Sequence, residues 1–240
     1  MSALRRFRPS FWLTVCALIG IALLIGLGAW QLHRLGWKQA MIAERTARLE
    51  APAIALPDPI AAPDAITLRR VSLAGRFLER EFHLGGRSRK GEVGFHIVAP
   101  LLLEDGRTIL VDRGWVPVPK REAATRPESR SEGPVALEAV LRSGGWKGRA
   151  LFQPDNAPQD NYWIWLDLPL MAELAGLQRP ITTLYATALP AEGAGQALPI
   201  AVAPRVEIRN DHLEYALTWF SLAVALAVIY VMLSLRREES

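Results

Sequence analysis

Two stretches of this chain run without charge for about the length of a bilayer crossing: Phe11 to Gln31 and Tyr215 to Leu235. A helix rises about 1.5 Å per residue, so roughly 20 apolar residues cross the ~30 Å of hydrocarbon in a membrane. Nothing else in the 240 residues matches them. A chain with one such segment near each end has few options: two membrane helices, with everything between them on one side. Half of the sequence is hydrophobic and its mean hydropathy is +0.14, high for a water-soluble protein.

Arg5, Arg6 and Arg8 resemble the basic start of a signal peptide. The apolar run that follows is longer than the roughly 7–15 residues of such a leader, and Gly26-Leu27-Gly28-Ala29 leads into Trp30-Gln31 without a cleavage pattern. The first span is therefore expected to remain as an anchor. Lys and Arg flank both ends of both spans, so counting them does not orient the chain. Long loops escape the positive-inside rule and the first helix usually dominates it, which makes the short N-terminal tail cytoplasmic and the central domain exported. The expected layout is a tail at 1–10, a span at 11–31, a helical extension and proline-rich linker at 32–64, an exported domain at 65–189, a second linker at 190–210, a span at 211–235 and a tail at 236–240.

The pI near 9.6 suggests nucleic acid only until the charge is located. Five arginines less Glu238 and Glu239 leave the two tails at +3 of the chain's +4, so residues 9–235 carry +1. No basic face remains for a phosphate backbone, and no nucleic-acid partner is expected. The one cysteine, Cys16, lies inside the first span, so the domain has neither disulfides nor a Cys-x-x-Cys pair for copper or thiol exchange. There is no Gly-x-Ser-x-Gly elbow, His-Glu-x-x-His pair or phosphate loop, and no enzyme is expected.

Between the spans the pattern is mostly strand. Trp37 to Glu50 is a polar helical stretch, and prolines 52, 57, 59 and 63 make an extended linker after it. Arg69 to Phe77 alternates around Val71, Leu73 and Gly75. Phe95 to Leu103 and Thr108 to Val116 are apolar runs joined by Glu104-Asp105-Gly106-Arg107, a strong hairpin signal. Pro100 inside the first run predicts an edge strand or bulge. A charged loop spans 117–134, with strands expected at 135–141, 162–166 and 181–188 and a short helix at 169–177. The fold class is a membrane α+β protein: two terminal transmembrane helices flanking a mainly antiparallel β domain, a sheet or a small barrel.

The start of the second span has the sharpest pattern. Asp211 can cap the helix with Glu214 three residues on, a capping box. At about 100° per residue, Tyr215 and Trp219 lie within roughly 60° of His212. One face then stacks imidazole, phenol and indole. Such a face suits a planar aromatic ligand with His212 on its metal, and equally an interfacial aromatic belt. On the first helix Trp30, Arg34 and Trp37 recur at i, i+4 and i+7 with Lys38 at the edge, either a belt with snorkelling cations or a cationic clamp for acidic groups. His33, one residue off that stripe, is a candidate second ligand. In the domain, Arg113-Gly114-Trp115-Val116-Pro117 ends the hairpin: Gly114 permits a bend, and Trp115 is a core or rim aromatic. His83 and His96 read as ordinary strand residues.

These segments, in order, resemble a known family, the Surfeit-locus (Shy-type) cytochrome c oxidase assembly factors. The matching segments are Gly28 to Lys38, Arg113 to Pro117, Asn161 to Asp167 with Trp163 and Trp165, and Asn210 to Phe220. The resemblance implies an inner-membrane protein with a periplasmic or intermembrane-space domain, and with no evident transit peptide it points to a bacterial member. It implies help in inserting heme a into the oxidase's catalytic subunit, with heme a carried as cargo. His212 would be the iron ligand and Trp219 its neighbour; that the flanking aromatics Tyr215 and Trp30 belong to the same site is an expectation from helical spacing. That Arg34 and Lys38 meet the heme propionates is an additional expectation from spacing. Implied partners are the oxidase catalytic subunit, the enzyme that makes heme a, and membrane lipid. The alternative is a scaffold for oxidase assembly that binds no heme.

Overall fold

The computed structural model describes residues 5–7, 9–130, 133–144, 154–191, 193, 195, 197–204 and 210–237. In chain order the elements begin with β1 (Arg5–Phe7), α1 (Phe11–Glu50), β2 (Ile54–Ala55), α2 (Pro63–Ile66), β3 (Arg70–Phe77), β4 (Phe82–Arg89), β5 (Glu92–Leu103) and β6 (Thr108–Pro117). They continue with β7 (Val135–Ser143), β8 (Tyr162–Trp163), α3 (Leu168–Leu174), β9 (Pro180–Ala188), α4 (His212–Ser234) and β10 (Leu235–Arg237). The chain divides into two compact units: residues 1–44 with 206–240, and residues 45–205.

The first unit is an antiparallel helix pair. α1 is one unbroken helix of 40 residues, about 60 Å long and roughly twice the hydrocarbon thickness. The first span and the polar helical stretch are thus parts of one rod, which ends before Pro52, where the residue preceding a proline is pushed out of the helical region. α4 supplies the second apolar helix, of 23 residues. The seam between them is built on small residues. A Cβ on Gly28 would sit 2.6 Å from the Phe220 ring, and one on Gly20 would sit 2.9 Å from Leu226. Ala216 and Ala223 are buried there too. Lipid tails are as apolar as leucine, so such helices associate through close packing and interhelical hydrogen bonds. One such bond joins Thr14 Oγ1 and Tyr230 OH at 2.9 Å. Beyond the helices β1 and β10 pair antiparallel through their backbones, Arg6 opposite Arg236.

The second unit is a closed barrel. β3, β7, β9, β6 and β5 follow one another around it, and β3 pairs with β5 to close the ring. The β6–β9 pairing is parallel and the other four are antiparallel. The barrel interior holds Val71, Leu73, Leu101, Ile109, Leu141 and Leu184, among others. A second core lies on the outer face, where α3 brings Leu168 and Met171 onto Phe82, Leu84, Val98 and Leu110 beside Trp163. Complete burial of a side chain such as Phe82 contributes about 2–3 kcal/mol. Asp167 caps α3, accepting from the Leu170 amide at 3.2 Å.

Four sequence expectations need correction. The proline-rich segment is not free: β2 pairs with β3, Ile54, Leu56 and Ile60 pack on the barrel core, and the Arg107 guanidinium donates to the Pro57 carbonyl at 2.6 Å. β5 is a central strand. Its amide-less Pro100 falls in the gap where β5 changes partner, from β4 (ending at Val98) to β3 (beginning at Leu101), and the register shift lies at Ile97/Val98. The strand expected at 162–166 stops after Trp163, because Ile164 and Trp165 turn their amides to the Asn156 side chain. The second linker is docked in part: Ile200 exchanges both backbone hydrogen bonds with Trp115 at 2.8 and 2.9 Å. The rest of that expectation falls partly on 192, 194, 196 and 205–209, outside the described residues.

Candidate functional site

His212 opens α4 and meets α1. Its Nδ1 lies 2.7 Å from the Gln31 side-chain oxygen. An amide oxygen only accepts, so Nδ1 is the donor, and in the neutral ring this tautomer places the lone pair on Nε2. A metal-binding histidine is commonly arranged in this way: the second ring nitrogen is tied to an acceptor that sets tautomer and orientation. Gln31 is not among the site candidates read in the sequence, where it closes the first span and falls within the Gly28 to Lys38 segment. The signal for it appears once the helices are aligned, because Thr14 with Tyr230, Gly20 with Leu226 and Gly28 with Phe220 carry the antiparallel register on to Gln31 with His212.

The other candidates are placed as follows. Trp219 is half-buried on the His212 side of α4. Tyr215 is 55% exposed and Trp30 56% exposed, both outside the seam. The Arg34 guanidinium stacks on the Trp37 ring, 4.1 Å from its centroid; a cation on an aromatic face contributes about 0.5–1 kcal/mol at an exposed site. Lys38 is half-buried one turn on. His33 is exposed and lies about 200° around the helix from Gln31, so it faces away from His212. Asp211 occupies the N-cap position, but its side chain does not cap the helix; the Asp211 carbonyl accepts from the Tyr215 amide at 3.2 Å. The capping box is therefore not formed. Asp211 and Glu214 still bring acidic charge to the positive end of the helix dipole.

In the barrel, Arg113-Gly114-Trp115 divides its side chains between the two faces. A bulge opposite Ile97/Val98 adds Arg113 to β6. The Arg113 guanidinium lies 4.7 Å from the Phe77 ring centroid and donates to the Ser129 carbonyl at 2.6 Å. Gly114 has φ +125°, and a Cβ there would meet the Ile200 carbonyl oxygen at 2.2 Å; only glycine lets the returning chain pass so close. Trp115 is 4% exposed and its indole Nε1 has no partner among the described residues. The charged loop at 117–134 is anchored by Arg126, fully buried, which pairs with Glu81 and donates to Ser129 Oγ at 2.7 Å. His83 is buried and its Nδ1 accepts from Arg121 Nε at 2.9 Å; burial holds its pKa below the ordinary imidazole value, against the opposing pull of Glu122. His96 is not isolated: its Nδ1 lies 2.8 Å from Asp112 Oδ2.

Two apolar helices of membrane-crossing length joined by a closed mixed β-barrel define a membrane-anchored β-domain protein. The chain belongs to the SURF1 family, whose model it matches over residues 18–224. It is 34% identical over 229 residues to Surfeit locus protein 1 of Mus musculus, covering 88% of this chain and 72% of that one. It is 33% identical over 217 residues to a SURF1-like protein of Rickettsia conorii, covering 89% and 88%. It is 32% identical over 220 residues to a SURF1-like protein of Monosiga brevicollis, covering 87% and 82%.

Proposed function

We propose that this protein is an assembly factor for cytochrome c oxidase that holds heme a at the head of its helix pair, with His212 on the iron. The observation that carries the reading is the His212–Gln31 hydrogen bond at 2.7 Å. It uses Nδ1 and leaves Nε2 for a ligand; neutral imidazole is the form that ligates. Heme iron accepts one imidazole per face, so one oriented histidine is a sufficient protein anchor for a cargo that must later be released. Trp219 beside it offers apolar cover. Arg34, kept extended by Trp37, offers positive charge for a propionate. The partners in this reading are the oxidase catalytic subunit, the heme a synthase that supplies the cargo, and the surrounding lipid. The protein sits in the inner membrane with both termini in the cytoplasm and the barrel in the periplasm. Two observations support that topology: β1 and β10 are paired, which keeps the termini on one side, and the short tails carry five arginines.

The test is the optical spectrum of detergent-purified protein made together with the enzymes of heme a synthesis. Wild type is expected to carry a reduced heme a α-band, and His212→Ala to lose it. His212→Gln, which can still donate to Gln31, is expected to lose it as well, which separates ligation from helix packing. Equal heme in all three would place the ligand elsewhere. A second reading, a scaffold without heme, is favoured by the same hydrogen bond taken purely as a link between helices. Heme-free wild type from membranes that contain heme a would select it.

A further inference from the structure

Two segments far apart in the chain meet over the buried imidazole of His83 on β4. One is the start of the charged loop, where Arg121 follows a short turn at Val118–Lys120. The other is the turn at Pro158–Asp160, just before β8, which pairs with β4 at His83. Arg121 ties them together. Its Nε donates to His83 Nδ1 at 2.9 Å, its Nη2 donates to the Asp160 carbonyl at 2.6 Å, and its guanidinium lies 5.2 Å from the Phe95 ring centroid. Asn161 presents a second donor to the same ring nitrogen, with Nδ2 at 3.4 Å. That amide is oriented by its other bonds: Oδ1 accepts from Trp163 Nε1, and Nδ2 donates to the Glu81 carbonyl. Two donors facing Nδ1 require a lone pair there, so this arrangement exists only with the neutral ring.

A replacement partner stands beside the tie. Glu122 Oε1 lies 3.3 Å from Arg121 Nε and 3.9 Å from His83 Nδ1. A proton on Nδ1 would face the Arg121 N–H, donor against donor and cation against cation. The Glu122 carboxylate offers that proton an acceptor of opposite charge, and its exposed side chain can turn without repacking. We propose that His83, Arg121 and Glu122 form a proton-operated latch on the Pro158–Asp160 turn, closed while His83 is neutral and open once His83 is protonated and paired with Glu122. Opening withdraws Arg121 from the Asp160 carbonyl and from the Phe95 ring. The charged loop itself stays in place, because the Arg126 guanidinium, paired with Glu81, donates to the Lys120 and Arg121 carbonyls at 3.0 and 3.4 Å. The groups around the ring set where the latch works. Burial lowers the pKa of His83 below 6.5, Glu122 and Glu81 pull it up, and Arg121 and Arg126 push it down. His96, next to Phe95 on β5, is engaged by Asp112. The latch is therefore closed at neutral pH and opens in mild acid. The inference belongs to the barrel unit alone and stands whether or not heme binds His212.

The experiment is amide hydrogen exchange of the whole chain in detergent, between about pH 7.5 and about pH 5, corrected for the intrinsic rate at each pH. The Asp160, Asn161 and Tyr162 amides bond to carbonyls within their own turn. On acidification they are expected to lose protection at least about tenfold, the effect of one charge-assisted hydrogen bond. The β6 amides are expected to keep theirs, which separates the latch from unfolding of the barrel. His83→Asn retains a side-chain acceptor that does not titrate, and its turn should stay protected at both pH values. Arg121→Met has no donor, and its turn should be unprotected at both. Glu122→Gln, at an exposed position, should move the opening to lower pH. Protection of the wild-type turn that does not change with pH, the same acid loss in His83→Asn, full protection of Arg121→Met at neutral pH, or an unmoved midpoint in Glu122→Gln would each overturn the proposal.

Discussion

At the scale of single residues, chemistry here depends on what orients a side chain more than on the side chain itself. His212 stands out in the sequence, and Gln31 does not. Yet the Gln31 oxygen is what fixes the tautomer of His212. Gln31→Leu leaves Nδ1–H without an acceptor and the ring free to turn. Heme retention in the spectral assay should then fall about 10–100-fold, as for loss of an outer-shell partner. Gln31→Glu keeps an acceptor and makes the imidazole more electron-rich, so any bound heme should shift to a lower reduction potential. Arg126 shows the same principle without a ligand. Its guanidinium is fully buried against Glu81 and Ser129, and Arg126→Ala should cost about 3–5 kcal/mol in the denaturant midpoint, because it strands the Glu81 carboxylate. A run of arginines in a loop looks like solvated charge in the sequence; which of them turns inward depends on a partner some 45 positions away.

At the scale of elements, two glycines decide how closely segments approach. Gly28 lets Phe220 lie against the backbone of α1. Gly28→Val should separate the helices at that level, lengthen the His212–Gln31 bond and reduce heme retention while barrel stability stays unchanged; disulfide trapping between cysteines placed along the seam would report the separation. Gly114→Ala should act on the barrel instead. The residue must hold φ +125° and meet the Ile200 carbonyl, so a loss of about 2 kcal/mol or more is expected in chemical denaturation. Periodicity marked both membrane helices, the β5–β6 hairpin with its Asp105-Gly106 turn, and β3, β7 and β9, because apolar alternation and turn residues act locally. It misread Pro100. A proline argues against a central strand only if its amide is needed, and here it falls where the strand exchanges neighbours.

For the molecule as a whole, the buried imidazole of His83 links barrel stability to pH. Burial lowers its pKa beneath the ordinary value of 6.5, so the unfolded chain takes up this proton first. The stability that depends on neutral His83 is complete above 6.5 and is lost as pH falls through the lower folded value. Protonation would also set a cation against the Arg121 guanidinium that now donates to Nδ1. The denaturant midpoint should decline as pH falls from about 6.5 towards 5, and His83→Asn should flatten that part of the curve.

The sequence by itself determined the number of membrane helices, the β character of the domain between them, most of its strands and the prominence of His212. All of these follow from interactions within a few residues of one another or with a uniform solvent, lipid or water. Only the tertiary structure decided that β3 meets β5 to close a barrel, that β6 and β9 run parallel, that the proline-rich segment docks on the core, and that Gln31 completes the histidine while His33 faces away. Those outcomes depend on register between segments far apart in the chain. Register is set by which small residue admits which large one and which buried donor finds an acceptor, and neither leaves a local period to read.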